Sequence, residues 1–528
     1  MFSIPYSKTG YFSNLMIDYL NQNRKLQPLY NRFPVIENFK EQIQEKQPHF
    51  SAQHRAVLAQ SLEQQYQNFT ISDKTRENIK SLSETNTFTI VTGHQLNLFT
   101  GPLYFLYKII TTINLCKKLK TTYPEQNFVP VYWMATEDHD FEEINFFNFN
   151  RIKFQWNKEA SGPVGRLNTD SLQTIYEKFK QYLPLGNSAK ELADLFEKAY
   201  LKHDNLADAT RFLANELFGS YGLVIIDGDD KELKKQFIPH IKEELLHQSS
   251  VEAVEKSYPV LKDYLIQVNP REINLFYIEN GLRERIVFED DKYKVLNTDL
   301  EFTQDEILKL VDSNPEKFSP NVILRPLYQE VILPNLCYIG GGGELAYWLE
   351  LKEVFTLHKV PFPMLLLRNS VLLATEKQNT KREKLKLTWE ELFLKTEAFT
   401  QKKTHDLSDK AFDFKQQKNF LKQQFEALKQ LTLQTHPSFI GAVNAQEQKQ
   451  IKGLENLEKR YYKAERLKNQ DQLDRMIALK IALFPNNNLQ ERVDNFSTLY
   501  VEFGEEMIQK LLDNLHPLEQ NYSIVILN

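Results

Sequence analysis

Four polar side chains in succession follow the apolar run VPVYWMA (129–135), and they could carry out proton transfer. They are Glu137, Asp138, His139 and Asp140. A carboxylate or an imidazole can take a proton from a reacting amine, and a carboxylate can also hold that amine. Metal ligation is disfavoured, because the four groups are sequential neighbours and the chain has no paired H-x-x-x-H. We predict catalytic roles for Glu137, Asp138 and His139 and no metal site; the alternative is a capped, solvated turn.

The run of four glycines at Gly340–Gly343 is unusual in a chain with only 17 glycines among 528 residues. Consecutive glycines expose backbone N–H groups, and this run precedes a predicted helix whose N-terminus would attract anions. We predict that it binds a phosphate or a carboxylate; the alternative is a tight strand-to-helix turn without a ligand. The spacing matches neither G-x-x-x-x-G-K-[ST] nor an established G-x-G-x-x-G context, so it identifies no standard nucleotide loop.

Two arginines could clamp an anionic ligand. A guanidinium group binds carboxylate or phosphate through two parallel hydrogen bonds, although Arg325 and Arg368 could equally form structural ion pairs. The complete set of predicted substrate-binding residues is Thr92, Gly93, His94, Gln95, Asn321, Arg325, Gly341, Gly342, Gly343, Glu344, Tyr347, Trp348, Arg368 and Asn369.

Most of these residues follow short apolar runs that end in polar or glycine-rich residues. The runs are FTIVT (88–92), VPVYWMA (129–135), LVIID (223–227), LCYIG (336–340) and FPMLLL (362–367). Nearly continuous apolar strands separated by helical segments indicate a parallel sheet that is covered on both faces, and hence an α/β fold. In such sheets ligands bind outside the carboxyl ends of the strands. We therefore expect the candidate residues to meet along that edge.

Composition favours a folded protein with small-molecule partners. The chain has 41% hydrophobic and 26% charged residues, and its length suits two or three structural units. The net charge of -5 gives no general attraction to nucleic acid or to anionic membranes. No segment has the ~18 apolar residues of a membrane span. Cys116 and Cys337 are too few for a disulfide framework, so we expect buried thiols and a cytoplasmic protein.

The predicted core covers residues 1–370, and two long stretches interrupt its strands. Residues 141–222 contain several helical patterns, and residues 231–335 contain helices together with strand-like pieces such as LFYIENGLRERIVFED. Both stretches are too long for simple crossovers between neighbouring strands. We predict that they are insertions into the core fold.

The C-terminal third has a different amino-acid composition. Residues 371–484 are rich in Lys, Gln, Glu and Leu, and they contain no glycine between Ser370 and Phe439. This pattern predicts an antiparallel coiled-coil hairpin, 375–435 against 446–484, with HPSFIGAVN (436–444) as the turn. Its apolar seam would suit a second copy of the chain, whereas its mixed charges do not favour nucleic acid. Residues 485–528 are predicted to return to the core with a last helix and the strand YSIVIL.

Four motifs in order resemble one known family. VTGHQLNLFTGPLYFLYKI, PVYWMATEDHDFEEIN, SPNVILRPLYQE and IGGGGELAYWLELKEVF resemble motifs of the BshC family of bacillithiol biosynthesis. The resemblance implies a Rossmann-like core similar to nucleotidyltransferases, two connecting insertions, and a coiled coil through which family members form homodimers. It also implies the last step of the pathway, which joins the carboxyl group of cysteine to the amine of glucosaminyl malate. One position departs from the family, because His94 stands where Gln is expected.

A mechanism follows as a hypothesis from the residues and the resemblance together. Amide formation from a free carboxylate requires activation, and the implied core suggests ATP, possible Mg²⁺ and an acyl-adenylate, although the chain lacks an H-x-G-H motif. The glycine run would bind phosphate or carboxylate, Asp138 and His139 would hold and deprotonate the amine, and Arg325 and Arg368 would neutralise charge. The alternatives are a non-catalytic scaffold of the pathway or another nucleotide-dependent group-transfer enzyme on the same fold.

Overall fold

The computed structural model describes residues 2–408, 414–436 and 438–528. Within it the chain divides into two compact units. The sheet unit contains the residues up to Ala374 together with Leu489–Asn528, and the helical unit contains Thr375–Asn488. The borders predicted after residues 370 and 484 thus lie four residues before those of the structure.

The strands of the described residues are all in the sheet unit, apart from the last residue of β14. They are β1 (Phe2–Pro5), β2 (Thr87–His94), β3 (Asn127–Met134), β4 (Phe146–Phe149), β5 (Ile152–Gln155), β6 (Val224–Asp227), β7 (Leu275–Glu279), β8 (Leu282–Glu289), β9 (Lys292–Val295), β10 (Glu301–Phe302), β11 (Phe318–Pro320), β12 (Asn335–Gly340), β13 (Met364–Leu367), β14 (Val371–Thr375) and β15 (Asn521–Leu527).

The α-helices are distributed over both units. They are α1 (Tyr6–Thr9), α2 (Asn14–Leu20), α3 (Phe39–Lys46), α4 (Ala52–Gln65), α5 (Asp73–Ser81), α6 (Tyr104–Thr122), α7 (Phe141–Ile144), α8 (Gln173–Tyr182), α9 (Asn187–Leu201), α10 (Leu206–Phe218), α11 (Lys231–Lys235), α12 (Ile238–His247), α13 (Ser250–Glu255), α14 (Tyr258–Leu261), α15 (Gln304–Ser313), α16 (Leu324–Ile332), α17 (Gly342–Trp348), α18 (Lys352–Leu357), α19 (Glu376–Lys384), α20 (Trp389–Leu392), α21 (Thr396–Leu407), α22 (Lys415–Thr432), α23 (Phe439–Lys468), α24 (Gln470–Leu483), α25 (Ser497–Phe503) and α26 (Glu506–Asn514).

The predicted parallel sheet is confirmed. The strand order is β13-β12-β2-β3-β6, and each neighbouring pair runs parallel. Each of these strands coincides with one of the apolar runs in the sequence, and nearly all of their residues are buried. Both cysteines lie in the apolar core beside this sheet as free thiols. All the carboxyl ends therefore lie along one edge.

The long stretches between the strands carry structure of their own. Residues 141–222 hold the β4–β5 hairpin and helices α8, α9 and α10. Residues 231–335 hold helices and a second sheet, with the order β10-β9-β8-β7-β11 and antiparallel pairing throughout. This antiparallel sheet matters for the site, because β7 and β8 carry residues to the edge of the parallel sheet.

The end of the chain lies in a third sheet, where β15 lies between β1 and β14. The sequence predicted one helix over STLYVEFGEEMIQKLLDNL, but the structure has two helices, α25 and α26, separated at Gly504. The backbone there has φ 55° and ψ −147°, a conformation that only glycine adopts readily, so the helix cannot continue through it.

The helical unit contains an antiparallel pair formed by α22 and α23. Lys429 contacts Glu447 at 2.7 Å and Lys418 contacts Glu458 at 2.6 Å, so the residue numbers rise along one helix as they fall along the other. The predicted turn at 436–444 was wrong in its bounds, because Gly441 and Asn444 lie inside α23. A glycine inside a long helix is tolerated at modest cost. Pro437, which belongs to the same prediction, lies outside the described residues.

The first arm of the predicted hairpin also differs from a single helix. Helices α19, α20 and α21 precede α22 as separate segments, and Thr375 and Thr388 form capping boxes that begin the first two. A capping box satisfies the free N–H groups of a new helix, so it favours an interruption of the chain at these points. Residues 409–413 of this arm lie outside the described part.

Candidate functional site at the carboxyl edge of the parallel sheet

One cavity of about 740 Å³ lies at the carboxyl ends of β2, β3, β6, β12 and β13. Residues from β7 and β8 of the second insertion form another part of its wall. The predicted residues that line it are Gly93, His94, Gln95, Glu137, Asp138, His139, Asn321, Arg325, Gly341, Gly342, Gly343, Glu344, Tyr347 and Arg368. The strand ends therefore bring together side chains that lie far apart in the sequence.

Three predicted residues do not line the cavity. The Thr92 hydroxyl donates a hydrogen bond to the Ile339 carbonyl at 2.8 Å, between two strands of the sheet. Trp348 is fully buried and stacks on Tyr338, with 4.4 Å between the ring centroids. The Asn369 amide donates to the His516 carbonyl at 3.0 Å. Each of these side chains points into the core, because neighbouring residues at a strand end or on a helix face different directions.

Asp138 is the carboxylate that the cavity leaves most available. Its Oδ2 accepts a hydrogen bond from Gln95 Nε2 at 3.0 Å, and its Oδ1 accepts one from the His139 backbone N–H at 2.8 Å. Gln95 uses its other N–H on Glu143, also at 3.0 Å. About a third of the Asp138 side chain stays exposed. Both oxygens keep a free lone pair, so Asp138 can accept a proton from a ligand.

Glu137 has a structural partner. Its carboxylate pairs with Lys234, and the Lys234 ammonium also donates to the Phe318 carbonyl at 2.9 Å. Burial raises the pKa of Glu137, and the charge of Lys234 opposes that shift. The ion pair links the end of β3 to α11 and β11. Glu137 was predicted as catalytic, but this contact occupies it in a supporting position.

His139 contacts an arginine that the sequence did not single out. Arg283 Nη1 lies 2.6 Å from His139 Nδ1. Half of the His139 side chain is exposed to the cavity. A guanidinium group is a donor only, so the imidazole Nδ1 must be the acceptor in this contact.

The glycine run holds an internal carboxylate. Glu344 Oε2 accepts from the Gly341 N–H at 2.8 Å, and Glu344 Oε1 accepts from the Tyr338 hydroxyl at 2.8 Å. Lys108 Nζ lies 2.6 Å from Glu344 Oε2. Burial tends to raise the pKa of Glu344, but Lys108 and the hydrogen bonds outweigh it and hold the pKa below its usual range. The predicted anion at Gly341 is thus supplied by the protein itself, through the capping interaction of Glu344.

The two predicted arginines differ in their partners. Arg368 is buried and donates from Nη2 to Glu491 at 2.8 Å. Of the two roles that the sequence allowed for Arg368, the structure therefore favours the structural ion pair. Arg325 donates to Gln329 at 3.2 Å and to the Tyr347 hydroxyl at 3.0 Å, both neutral groups. Of these two arginines, therefore, Arg325 is the one that has no carboxylate partner among the described residues and keeps its charge for a ligand.

His94 is buried at the end of β2, between the rings of Tyr104 and Phe105. Burial lowers the pKa of His94 well below its usual value, and the charges of Lys108 and Arg368 lower it further. The imidazole is therefore neutral at physiological pH. It shapes the inner wall of the cavity and adds no charge to it.

Several lining residues were missed in the sequence. Arg271, Arg283 and Arg285 come from the second insertion, Arg492 comes from the segment after the helical unit, and Lys108 lies on α6. One signal was present: Arg283 and Arg285 alternate along the strand-like piece LFYIENGLRERIVFED, so both lie on one face of β8. The contribution of Arg492 had no sequence signal, because it depends on the return of the chain.

The cavity has a strongly positive lining. In the described parts of the chain, none of the lining residues Arg271, Arg283, Arg285, Arg325 and Arg492 forms a salt bridge with a carboxylate. Its carboxylates Glu137 and Glu344 are already neutralised by lysines. Unpaired guanidinium groups that converge on one space suit a ligand with several carboxylate or phosphate oxygens. Across residues 2–408, 414–436 and 438–528, no cluster of three His, Cys, Asp or Glu side chains could hold a metal ion.

The comparisons with known proteins agree with this architecture. Residues 1–369 match the family model "Bacillithiol biosynthesis BshC, N-terminal Rossmann-like domain", and residues 371–527 match "Bacillithiol biosynthesis BshC, C-terminal coiled-coil domain". The chain belongs to the BshC family. The Rossmann-like core and coiled coil expected from the sequence are therefore confirmed.

Individual BshC relatives match over almost their full length. A protein of Flavobacterium psychrophilum is 61% identical over 523 residues, which cover 99% of this chain and 98% of the relative. One of Flavobacterium johnsoniae is 59% identical and covers 99% of both chains, and one of Bacillus cereus is 27% identical and covers 97% of both. All three bear the name "Putative cysteine ligase BshC". Among the helices described here, none combines the length and apolar character needed to cross a membrane.

Proposed function

We propose that this protein is a cysteine ligase that joins the carboxyl group of cysteine to the amine of glucosaminyl malate. Its BshC relatives carry the ligase name, and the cavity has the chemistry that this reaction requires. The observation that carries the proposal is the group of unpaired arginines around Asp138 in one cavity. A substrate with two carboxylates and an amine needs cationic groups for one end and a proton acceptor for the other.

The malate end would bind to the arginines. Arg325 comes from α16, whereas Arg285 comes from β8, so two elements would bind the dicarboxylate from two sides. A bidentate guanidinium contact fixes the plane of a carboxylate as well as its position. Such binding would hold the glucosamine amine in a defined place relative to Asp138.

The amine would lose its proton to Asp138. The amine nitrogen attacks the activated carboxyl carbon of cysteine, the new C–N bond forms, and the proton leaves the nitrogen as this happens. Gln95 holds the Asp138 carboxylate by a hydrogen bond of 3.0 Å, so the carboxylate keeps its direction while it receives the proton. A positioned general base of this kind contributes about 10²- to 10⁴-fold to the rate.

The cysteine carboxyl group would be activated by ATP. An acyl-adenylate forms when the carboxylate attacks the α-phosphorus and pyrophosphate leaves; AMP leaves when the amine attacks. The lining fits a triphosphate in its charge, since Arg271 and Arg492 are exposed cations of the lining that have no carboxylate partner among the described residues. Mg²⁺ would enter with the nucleotide, because this ion is commonly held by phosphates and only one or two carboxylates.

The helical unit would hold a second copy of the chain. Phe420, Leu431 and Leu457 on α22 and α23 are each more than half exposed, which favours burial against a partner. We also propose that the protein works in the reducing cytoplasm, which suits the free thiols of Cys116 and Cys337.

The test is formation of the amide product. Purified protein is incubated with ATP, Mg²⁺, cysteine and glucosaminyl malate, and the thiol product is measured by mass spectrometry. We expect product from the protein alone, and a decrease in kcat of at least about 10²-fold for Asp138→Asn. Asp140→Asn is the matched control, since Asp140 does not line the cavity, and it should keep nearly full activity.

Two results would contradict the proposal. If product forms only after a second protein is added, the chain is not a ligase by itself. If Asp138→Asn and Asp140→Asn lose the same activity, the effect comes from charge near the strand end and not from a general base.

A further inference from the structure

We infer that Arg283 is a positioning residue that fixes His139 as a hydrogen-bond donor, which leaves Asp138 as the proton acceptor. The inference rests on the proposed function, because it assigns the groups that would act on the amine and on the activated carboxyl group. It begins from the contact of 2.6 Å between Arg283 Nη1 and His139 Nδ1.

The guanidinium group of Arg283 is held on several sides. Its Nε donates to the Ser319 hydroxyl at 3.3 Å, and its Nη2 donates to the Pro320 carbonyl at 3.4 Å. Its central carbon lies over the Phe276 ring, 4.0 Å from the ring centroid. The direction of Nη1 toward His139 is therefore set by β7, β8 and β11 together.

This contact decides where the imidazole carries its proton. A neutral imidazole has one N–H and one lone pair, and the lone pair at Nδ1 accepts the hydrogen bond from Arg283. The proton must then be on Nε2. His139 can donate a hydrogen bond from Nε2 to a ligand, and it has no free lone pair with which to take a proton from an amine.

Asp138 has the complementary property. Its oxygens accept hydrogen bonds from Gln95 and from the His139 backbone, and each oxygen keeps a second acceptor position. A donor and an acceptor thus stand next to each other at the end of β3. In the proposed reaction the amine proton moves to Asp138 as the C–N bond forms. The Nε2–H of His139 stabilises the carbonyl oxygen, where negative charge develops before the bond to the leaving nucleoside phosphate breaks.

The decisive experiment compares substitutions that keep or remove the donor at residue 139. In His139→Gln the side-chain amide places an N–H close to the position of Nε2, so we expect kcat within about tenfold of the unaltered protein. His139→Leu has no donor and should lose about 10²- to 10³-fold in kcat. Asp138→Asn should lose at least as much, with little change in KM. The inference is wrong if His139→Gln is as inactive as His139→Leu.

A double-substitution cycle tests Arg283 itself. Arg283→Met keeps an unbranched side chain that can pack on Phe276 and removes every donor, so kcat should decrease by tenfold or more. In the His139→Gln background there is no Nδ1 to hold, and Arg283→Met should cause little further loss in kcat. A merely structural role would give equal losses in both backgrounds, and that result would overturn the inference.

A spectroscopic measurement separates this inference from the ligase proposal. Long-range ¹H–¹⁵N spectra of protein labelled in its 11 histidines distinguish the two neutral tautomers, and His139→Gln identifies the signal of residue 139. We expect an Nε2–H tautomer that changes in Arg283→Met. If the unaltered protein makes no product, the ligase proposal fails and this spectrum still tests the contact; an Nδ1–H or doubly protonated ring would refute it.

Discussion

The buried and partly buried carboxylates of the sheet unit differ in what compensates their charge. Glu344 pairs with Lys108, Glu137 with Lys234, and Glu491 with Arg368. Glu350 is also buried, but its hydrogen-bond partners among the described residues are both backbone groups: the N–H of Gln267 at 2.7 Å and that of Val268 at 3.4 Å. These contacts hold the segment that leads to Arg271 at the cavity wall.

Glu350 should make stability depend on pH. Burial raises the pKa of Glu350 to about 7, and the two backbone N–H groups only partly oppose this shift. Between about pH 4.5 and 7 the folded state then holds a proton that the unfolded state has released, so this contribution to stability decreases as pH rises. Relative to the unaltered protein, Glu350→Gln should gain at most about 3 kcal/mol of unfolding free energy between pH 5 and pH 8, because the two pKa values differ by little more than two units and each unit corresponds to about 1.4 kcal/mol.

The measurement is urea unfolding of both proteins at pH 5 and pH 8. The quantity compared is the difference in unfolding free energy between the two proteins, taken once at pH 5 and once at pH 8. The substitution also removes a hydrogen-bond acceptor, but that cost is the same at both pH values and therefore cancels. A difference that stays constant or shrinks would show that Glu350 is already ionised at pH 5.

The ends of the strands and helices determine where the cavity lies in the fold. The strands of the parallel sheet deliver residues to one edge, and the antiparallel strands β7 and β8 add arginines from an insertion. The end of a helix also sets the direction of the chain near the C-terminus, where Gly504 separates α25 from α26. Its backbone conformation permits the last helix to turn toward β15.

Two glycine substitutions should therefore have opposite effects. Gly504→Ala puts a Cβ in a conformation reserved for glycine and 3.2 Å from the Ser188 hydroxyl, so it should cost about 1–3 kcal/mol of unfolding free energy. Gly441 lies within α23, and no atom lies within 4 Å of the Cβ that Gly441→Ala would add. Because glycine destabilises a helix relative to alanine, this substitution should raise the free energy of unfolding by about 0.5–1 kcal/mol. Denaturant unfolding followed by circular dichroism measures both. Equal effects would show that the backbone at Gly504 adapts to a side chain.

At the scale of the whole molecule, net charge and local charge have opposite signs. The chain carries a net charge of -5, yet the cavity at the carboxyl ends of the parallel strands is lined by arginines that have no carboxylate partner among the described residues. An interaction between charges that solvent can reach is screened over about 10 Å at 0.1 M salt. The distant acidic residues therefore hardly weaken the attraction of this cavity for an anion.

Malate should consequently stabilise the protein in a salt-dependent way. A ligand that binds only the folded state raises the unfolding temperature, and added NaCl should reduce that increase by screening the arginines. Arg325→Gln should remove at least half of the increase, whereas Arg76→Gln on the exposed face of α5 should leave it unchanged. Thermal unfolding with and without malate at 0.05 and 0.5 M NaCl measures this. An increase that is the same in all these conditions would exclude charge attraction as its cause.

The sequence by itself determined the parallel sheet and the edge where the site lies. Apolar runs that end in polar residues are a local pattern, and the rule that ligands bind at the carboxyl ends of such strands needs no coordinates. The helical character of α22 and α23 was equally local, because composition over a long segment decides it.

Only the tertiary structure decided which side chains face the cavity and which are already paired. Arg368 could clamp a ligand or form an ion pair until the position of Glu491, far away in the chain, was known. The positions of Arg283 and Arg492 likewise depend on how an insertion and the C-terminal segment fold back. A partner that lies more than a hundred residues away leaves no mark on local spacing, and yet in a buried site it fixes both the charge and the direction of a side chain.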